Sequence, residues 1–87
     1  MKFKVLNKEI IYKGCPIVIR QAEEDEEHFE YFTCINNQIW SAVVKSRKPI
    51  LRRILCQKFT PEELVAIMNR VIAMAETTID EFLQPAV

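Results

Sequence analysis

The 87 residues are enough for one small core, and an apolar fraction of 49% with 28% charged residues excludes an intrinsically disordered chain. Twelve Lys and Arg residues balance twelve Asp and Glu residues, so the net charge of zero does not by itself attract a charged partner. The single glycine is too little for the common glycine-rich phosphate-binding loops.

The N-terminal part of the chain has the composition of short β-strands. Apolar residues alternate loosely over 3–6, and a second run covers 9–13, with Asn7 and Lys8 between them as a turn. The β-branched stretch 17–20 predicts a third strand. The pattern therefore predicts three short strands before the first run of charges.

The charged residues are sorted by sign along the chain. Residues 21–30 contain six acids and no base, and residues 31–58 contain six bases and no acid. The run 23–27, called the acidic loop from here on, predicts a solvated connection between strands. The molecule is therefore expected to have an uneven electrostatic field that can steer a charged partner.

A β-hairpin is predicted around Asn36 and Asn37, because asparagine tolerates the positive φ angles of a two-residue turn. That turn would place Ile35 opposite Gln38. The further predicted pairs are Thr33 with Trp40, Tyr31 with Ala42 and Phe29 with Val44. Both faces of the hairpin are substantially apolar, so other parts of the protein are expected to cover part of each face.

Residues 45–58, called the basic segment from here on, alternate apolar and basic residues in pairs. This spacing favours a short helix, and a fifth strand is the alternative. We hypothesise that the segment docks an acidic partner, which is a protein, a nucleic acid or the acidic loop of a second copy. Two solvated charged surfaces without a partner are the simpler interpretation. The residues of the docking hypothesis are Lys45, Arg47, Lys48, Arg52, Arg53 and Lys58.

A long amphipathic helix is predicted from Thr60 onward, where Thr60, Pro61 and Glu63 form a capping box. Its apolar arc is wider than one contact layer needs, and about 24 residues make it about 36 Å long, so its end is expected to overhang the sheet. Apolar surface left there predicts a homodimer interface. The residues of the predicted interface are Met74, Ile79, Phe82 and Leu83.

No catalytic, cofactor-binding or metal-binding residue is predicted. His28 is the only histidine, and an extended strand would separate it from Cys34 by about 20 Å, which excludes that Cys–His pair. The sequence contains neither a Cys-x-x-Cys nor a His-x-x-x-His pair. Cys15, Cys34 and Cys56 are odd in number and not closely spaced, which indicates free thiols and a cytoplasmic protein. No apolar run is long enough to span a bilayer, so no membrane partner is expected.

These elements together predict an α+β fold for residues 1–87 as a single domain. It would contain an antiparallel β-meander of about four strands, a short basic segment and a long C-terminal helix packed on one sheet face. The expected function is that of a small cytoplasmic interaction or adaptor protein, non-enzymatic and self-associating, with a basic docking surface at 45–58.

A single-stranded nucleic-acid-binding module is the alternative function. Trp40, Phe29 and Tyr31 would form a stacking platform beside the basic segment. Strands followed by one long helix with a Pro-Glu start resemble, in layout though not in sequence, the single-strand-binding transcriptional coactivators, and this resemblance implies the same alternative. An isoelectric point of about 6.6 favours the protein-interaction function.

Overall fold

The computed structural model describes residues 2–83, which form a five-stranded antiparallel sheet, a short helix and a long helix. The strands are β1 (Phe3–Val5), β2 (Ile10–Tyr12), β3 (Cys15–Ala22), β4 (His28–Ile35) and β5 (Gln38–Lys45). The helices are α1 (Ile50–Ile54) and α2 (Pro61–Leu83). This arrangement confirms the predicted α+β fold, with an antiparallel sheet and a long helix packed on it.

The sheet is four strands wide although it contains five strands. β3, β4 and β5 are successive neighbours, while β1 and β2 both pair with β3. β1 pairs with the C-terminal part of β3 and β2 with its N-terminal part, so the two short strands lie in line. They therefore act as one interrupted edge strand, and β5 forms the opposite edge.

The side chain of Asn7 closes the interruption between β1 and β2. Its Oδ1 accepts a hydrogen bond from the backbone N–H of Ile19 at 2.8 Å, and its Nδ2 donates to the carbonyl oxygen of Ile17 at 3.3 Å. The predicted turn at Asn7 and Lys8 is wrong, because the chain continues along the same edge of β3. The amide side chain replaces ladder bonds that the backbone does not make there.

Two tight turns join neighbouring strands, and each uses two residues with positive φ. Lys13 and Gly14, with φ of 50° and 79°, connect β2 to β3. Asn36 and Asn37, with φ of 51° and 66°, connect β4 to β5. These angles belong to the primed turns that fit the twist of antiparallel strands. The predicted register of the β4–β5 hairpin is confirmed along its whole length.

α2 packs across β3 and β4 on one face of the sheet, called the inner face. Its buried residues recur at every fourth position and form one stripe: Ile67, Val71, Ala75 and Ile79. The stripe meets alternate strand residues that point to the inner face, among them Ile17, Ile19, Phe29, Tyr31 and Ile35. The core therefore lies between α2 and the inner face, and the opposite side of the sheet is called the outer face.

Both ends of α2 are held by side chains. At its start, Thr60 Oγ1 accepts from the N–H of Glu63 at 3.2 Å, and Glu63 Oε1 accepts from the N–H of Thr60 at 2.8 Å, which confirms the capping box. At its end, the carboxylate of Asp80 lies near the negative end of the helix dipole, which is unfavourable unless the carboxylate is paired. The hydroxyl of Tyr12 and the ammonium group of Lys13 both donate to Asp80, which fixes the helix end beside the β2–β3 turn.

The basic segment contains the short helix α1, so its helical interpretation is confirmed and the fifth-strand alternative is wrong. Pro49 is its N-cap residue, and Cys56 follows it with a positive φ of 53°. None of its side chains enters the core. Its aliphatic residues and that of its C-cap are 56% to 71% exposed, and they are Ile50, Leu51, Ile54 and Leu55.

Candidate functional site

The acidic loop and the basic segment contact each other within one chain. The ammonium group of Lys48 lies 3.0 Å from the carboxylate of Glu26, and the guanidinium group of Arg53 lies 3.6 Å from that of Glu27. The backbone N–H of Lys48 also donates to Glu27 at 2.6 Å. Part of the charge that the sequence separates into two blocks is therefore neutralised inside the molecule.

A third base, Arg52, pairs with Glu63 of the capping box and donates to the carbonyl oxygen of Lys58. Of the six predicted docking residues, Lys45, Arg47 and Lys58 form no ion pair with any residue from 2 to 83. Half of the bases in the docking hypothesis are therefore paired with acids of the same chain, and the hypothesis itself stays a prediction.

The pKa of Glu63 gives a test of the Arg52 pair. The Arg52 guanidinium, together with the N–H of Thr60, lowers the pKa of Glu63 from 4.5 to about 2. A depressed carboxyl pKa stabilises the fold above the unfolded-state pKa, and this contribution is lost as the pH falls from about 4.5 toward 2. We therefore expect Glu63→Gln to lower the melting temperature at pH 6, and the gap from the parent to shrink as the pH falls through this range.

Thermal unfolding followed by circular dichroism between pH 6 and pH 2 measures this gap. Glu62→Gln is the matched control, because Glu62 lies in the same helical turn and forms no ion pair within residues 2–83. A gap for Glu63→Gln that stays constant down to pH 2 would contradict the assignment.

The aromatic residues predicted to stack bases do not share an exposed surface. Phe29 and Tyr31 are 0% and 5% exposed, and the hydroxyl of Tyr31 is hydrogen-bonded to Thr78 of α2 at 2.7 Å. Trp40 is partly exposed and stacks on Phe82 with ring centroids 4.0 Å apart. The predicted platform is therefore wrong, because two of its three rings belong to the core.

The predicted dimer interface divides between core and surface. Ile79 is fully buried against the inner face, so its place in an interface is wrong. Leu83 is partly buried and packs on the core. Met74 and Phe82 are 42% and 47% exposed. These last two residues keep apolar surface available near the end of α2.

The outer face of the sheet is apolar, and no helix or strand of residues 2–83 covers it. Its most exposed residues are between 54% and 77% exposed, and they are Val5, Ile11, Ile39 and Val43. Val18 and Phe32 lie between them and line shallow depressions in this face. Cover was predicted for both sides of the sheet, and the described chain supplies it on the inner face alone. Exposed apolar surface of this kind is a candidate for an interaction site.

Charged residues lie on the two central strands of the outer face, toward the end of the sheet that adjoins the acidic loop. The guanidinium group of Arg20 lies between the rings of Phe3 and Phe32, 4.7 Å and 4.3 Å from their centroids. It pairs with Glu30 at 3.1 Å, and His28 lies 3.4 Å from the other oxygen of Glu30. Stacking and ion pairing together hold Arg20 in one position. The charges of Arg20 and Glu30 are therefore paired with each other within the otherwise apolar outer face.

The thiols and the histidine are dispersed. Cys15 is buried, Cys34 is partly buried and Cys56 is exposed, and all three thiols are free. In the part of the chain that the structure describes, no three His, Cys, Asp or Glu side chains lie together as ligands for a metal ion. The hydrogen-bond partner of His28 is Glu30, and that of the Cys15 thiol is the carbonyl oxygen of Lys13. These contacts do not form a nucleophile with its base.

Comparison with known proteins identifies no relative: no protein-family model, no curated protein and no solved structure matches the chain. No helix within residues 2–83 is long and apolar enough to cross a membrane. The exposed surfaces described above are therefore the basis for a functional proposal.

Proposed function

We propose that the protein is a cytoplasmic, non-enzymatic interaction protein that associates with itself as a homodimer. The observation that supports this proposal is the uncovered outer face of the sheet, on which Ile39 is 77% exposed. A partner that covers this face would recover about 25 cal/mol for each Å² of apolar surface removed from water. An 87-residue chain buries a smaller fraction of its apolar surface than a large domain does, so each exposed aliphatic residue is a larger share of what it could bury. Large aliphatic residues that are exposed in such a chain favour association.

α1 supports the same proposal independently. Its aliphatic side chains are exposed, while Arg52 and Arg53 turn back to pair with Glu63 and Glu27. The ion pairs, rather than core packing, anchor this one-turn helix to the rest of the chain. α1 therefore presents an apolar ridge beside the acidic loop, and such a ridge suits a protein partner.

An acidic protein segment fits the bases that the chain leaves unpaired. Lys45 and Arg47 line a cleft together with Arg70, and Phe59 and Ile67 contribute apolar surface to the same cleft. Bases beside apolar side chains favour an acidic peptide that also carries an apolar residue. Nucleic acid is the weaker proposal, because the rings that would stack bases are buried.

Sedimentation at micromolar concentration tests self-association, and we expect the parent chain to be a dimer. Phe82→Glu should shift it toward monomer, because the change puts a charge into the exposed apolar surface at the end of α2. Val65→Glu is the matched control: Val65 is 57% exposed, and it lies 17 residues before Phe82, about 25 Å away along the helix axis.

Circular dichroism of both variants shows whether the fold is retained. A parent chain that sediments as a monomer would refute the proposed self-association. Equal effects of Phe82→Glu and Val65→Glu would place the interface away from the end of α2.

A further inference from the structure

The two edges of the sheet are built differently. The edge formed by β1 and β2 is interrupted, and it carries Lys4 within β1 and Lys8 in the gap. β5 continues for eight residues, and between Gln38 and Lys45 it contains no charged residue and no proline. Proteins usually protect edge strands with charges, prolines, bulges or short strands. The β1–β2 edge has such protection, and the β5 edge has none along its central residues.

α2 also covers β5 less than it covers β3 and β4. α2 packs on β3 and β4, and it reaches β5 through the stack of Phe82 on Trp40. On the outer face, Ile39 and Val43 of β5 are 77% and 54% exposed. β5 therefore combines an unpaired backbone edge with apolar side chains that are open to solvent on one face and partly covered on the other.

We propose that β5 pairs antiparallel with β5 of a second copy of this chain, about a twofold axis that passes through Ser41. This inference rests on the proposed self-association, and it brings two exposed residues of the outer face, Ile39 and Val43, against their counterparts in the second copy at the β5 edge. The twofold axis would stand perpendicular to the sheet, so the inner faces of both copies lie on one side and the outer faces on the other. The two sheets would become one continuous sheet, and the two unprotected edges would be removed together.

The side chains of β5 favour this register. Residues directly opposite each other in an antiparallel pair point to the same face. A twofold pairing therefore places one residue of β5 opposite its own copy, and the axis passes between these two copies. With the axis at Ser41, Ile39 lies opposite Val43 of the second copy, and Trp40 lies opposite Ala42. The first pair joins two exposed aliphatic residues, and the second sets a large ring beside a small residue.

Both neighbouring registers are less favourable, and with the axis at Trp40 the most exposed aliphatic residue, Ile39, would lie opposite the hydroxyl group of Ser41. With the axis at Ala42, Lys45 would lie opposite Ile39, so a charged group would face the most exposed aliphatic residue of the strand. Charges and apolar residues make poor cross-strand pairs compared with two aliphatic residues. The complementarity of β5 with itself is the reason to assign a second copy, rather than a strand of another protein, to this edge.

α2 extends the contact beyond the strand. Arg70 donates to Ser46, which follows β5, and Met74 lies one helical turn after Arg70 on the same side of α2. Met74 and Phe82 therefore flank β5 on the inner side. An edge of eight residues is about 26 Å long, and these apolar residues add surface toward the roughly 1,000 Å² expected of a stable interface.

A pair of double variants tests both the edge and the register. Ile39→Lys with Val43→Lys places like charges opposite each other across the dimer, whereas Ile39→Glu with Val43→Lys places opposite charges there. Both variants carry Lys at 43, so its contact with Glu30, directly opposite within the chain, is the same in each. We expect the Lys–Lys variant to dimerise roughly tenfold or more weakly than the Glu–Lys variant, as measured by sedimentation.

A cysteine cross-link gives the second measurement, in a chain that also carries Cys34→Ala and Cys56→Ser. Ser41→Cys places two thiols at the axis, where opposite Cα atoms are about 4.5–5.5 Å apart and a disulfide can form. Val43→Cys is the control, because the two copies of residue 43 would lie about 13 Å apart along the strands. Mild oxidation should cross-link Ser41→Cys and leave Val43→Cys monomeric on a denaturing gel.

The outcomes separate this inference from the proposed function. A parent dimer that both double variants leave unchanged would overturn the β5 pairing and leave self-association standing. Equal loss of the dimer in both double variants, or cross-linking of Val43→Cys as strongly as Ser41→Cys, would overturn the Ser41 register. A monomeric parent would overturn both proposals. The β5 edge would then be available to pair with a strand of a different protein.

Discussion

Ile79→Ala is expected to destabilise the fold by about 2–5 kcal/mol. The side chain is 0% exposed and lies on the buried stripe of α2, so its removal leaves a cavity in the core. A chain of 87 residues has a total stability of about 4–13 kcal/mol, so the variant should lose a large part of it. Urea unfolding at one fixed protein concentration measures the loss, because dimerisation would add its own stabilisation.

Val65→Ala is the matched control for this prediction. It shortens an aliphatic side chain 14 residues earlier on the same helix, but Val65 is 57% exposed and lies outside the proposed interface. We expect a loss below about 1 kcal/mol for Val65→Ala, since exposed positions leave little cavity. If both variants lost a similarly small part of the free energy of unfolding and Ile79→Ala also weakened the dimer, Ile79 would belong to the dimer interface after all.

The difference between Ile79 and Phe82 shows that helical periodicity does not predict which apolar residues of a helix are buried. The sequence predicts a wide apolar arc on α2, and this arc includes both residues. Phe82 keeps 47% exposure because it lies near the end of a helix longer than the strands beneath it, whereas Ile79 still lies over the sheet. Periodicity alone cannot separate the two, because the position of the helix on the sheet depends on contacts between distant parts of the chain.

The hairpin and the capping box could be predicted because their determinants are local. Two asparagines at one turn set the whole β4–β5 register, and three residues around Thr60 set the start of α2. The choice between the two hairpin faces was not local. Phe29 and Tyr31 lie on the face that α2 covers, and nothing in the alternation of β4 indicates which face receives the helix.

The sequence also shows the two charge blocks without showing that they meet. Glu26 and Lys48 are 22 residues apart, and the antiparallel pairing of β4 with β5 brings their loops to the same end of the sheet. The second strand of a hairpin runs back to the end of the sheet where the first strand began. A charged segment before the hairpin therefore comes close to a charged segment after it. The sequence indicated that both faces of the hairpin are apolar. Only the packing of α2 on the inner face shows that the outer face is the one left exposed.

Asn7→Ala is expected to cost about 1–3 kcal/mol, because it leaves a buried backbone N–H without an acceptor. Ile19 is 0% exposed, and Asn7 Oδ1 accepts from its N–H in the gap between β1 and β2. Asn7→Asp keeps an acceptor for Ile19 and loses the donor to the carbonyl oxygen of Ile17, so its loss should be intermediate. Urea unfolding measures both losses, and hydrogen exchange at the Ile19 amide should be faster in Asn7→Ala than in Asn7→Asp.

The same substitution bears on how many copies associate. Asn7 fills the gap in the β1–β2 edge, which Lys4 and Lys8 also protect, and the proposed pairing of β5 covers the other edge, so the parent assembly should stop at two copies. An opened β1–β2 edge would offer a second unpaired strand, and edges open on both sides allow association to continue. Asn7→Ala is therefore expected to sediment partly as species larger than the parent assembly, and Asn7→Asp to remain at the parent size. Fast exchange at Ile19 in an Asn7→Ala variant that keeps the parent size would show that Asn7 stabilises the edge without limiting assembly.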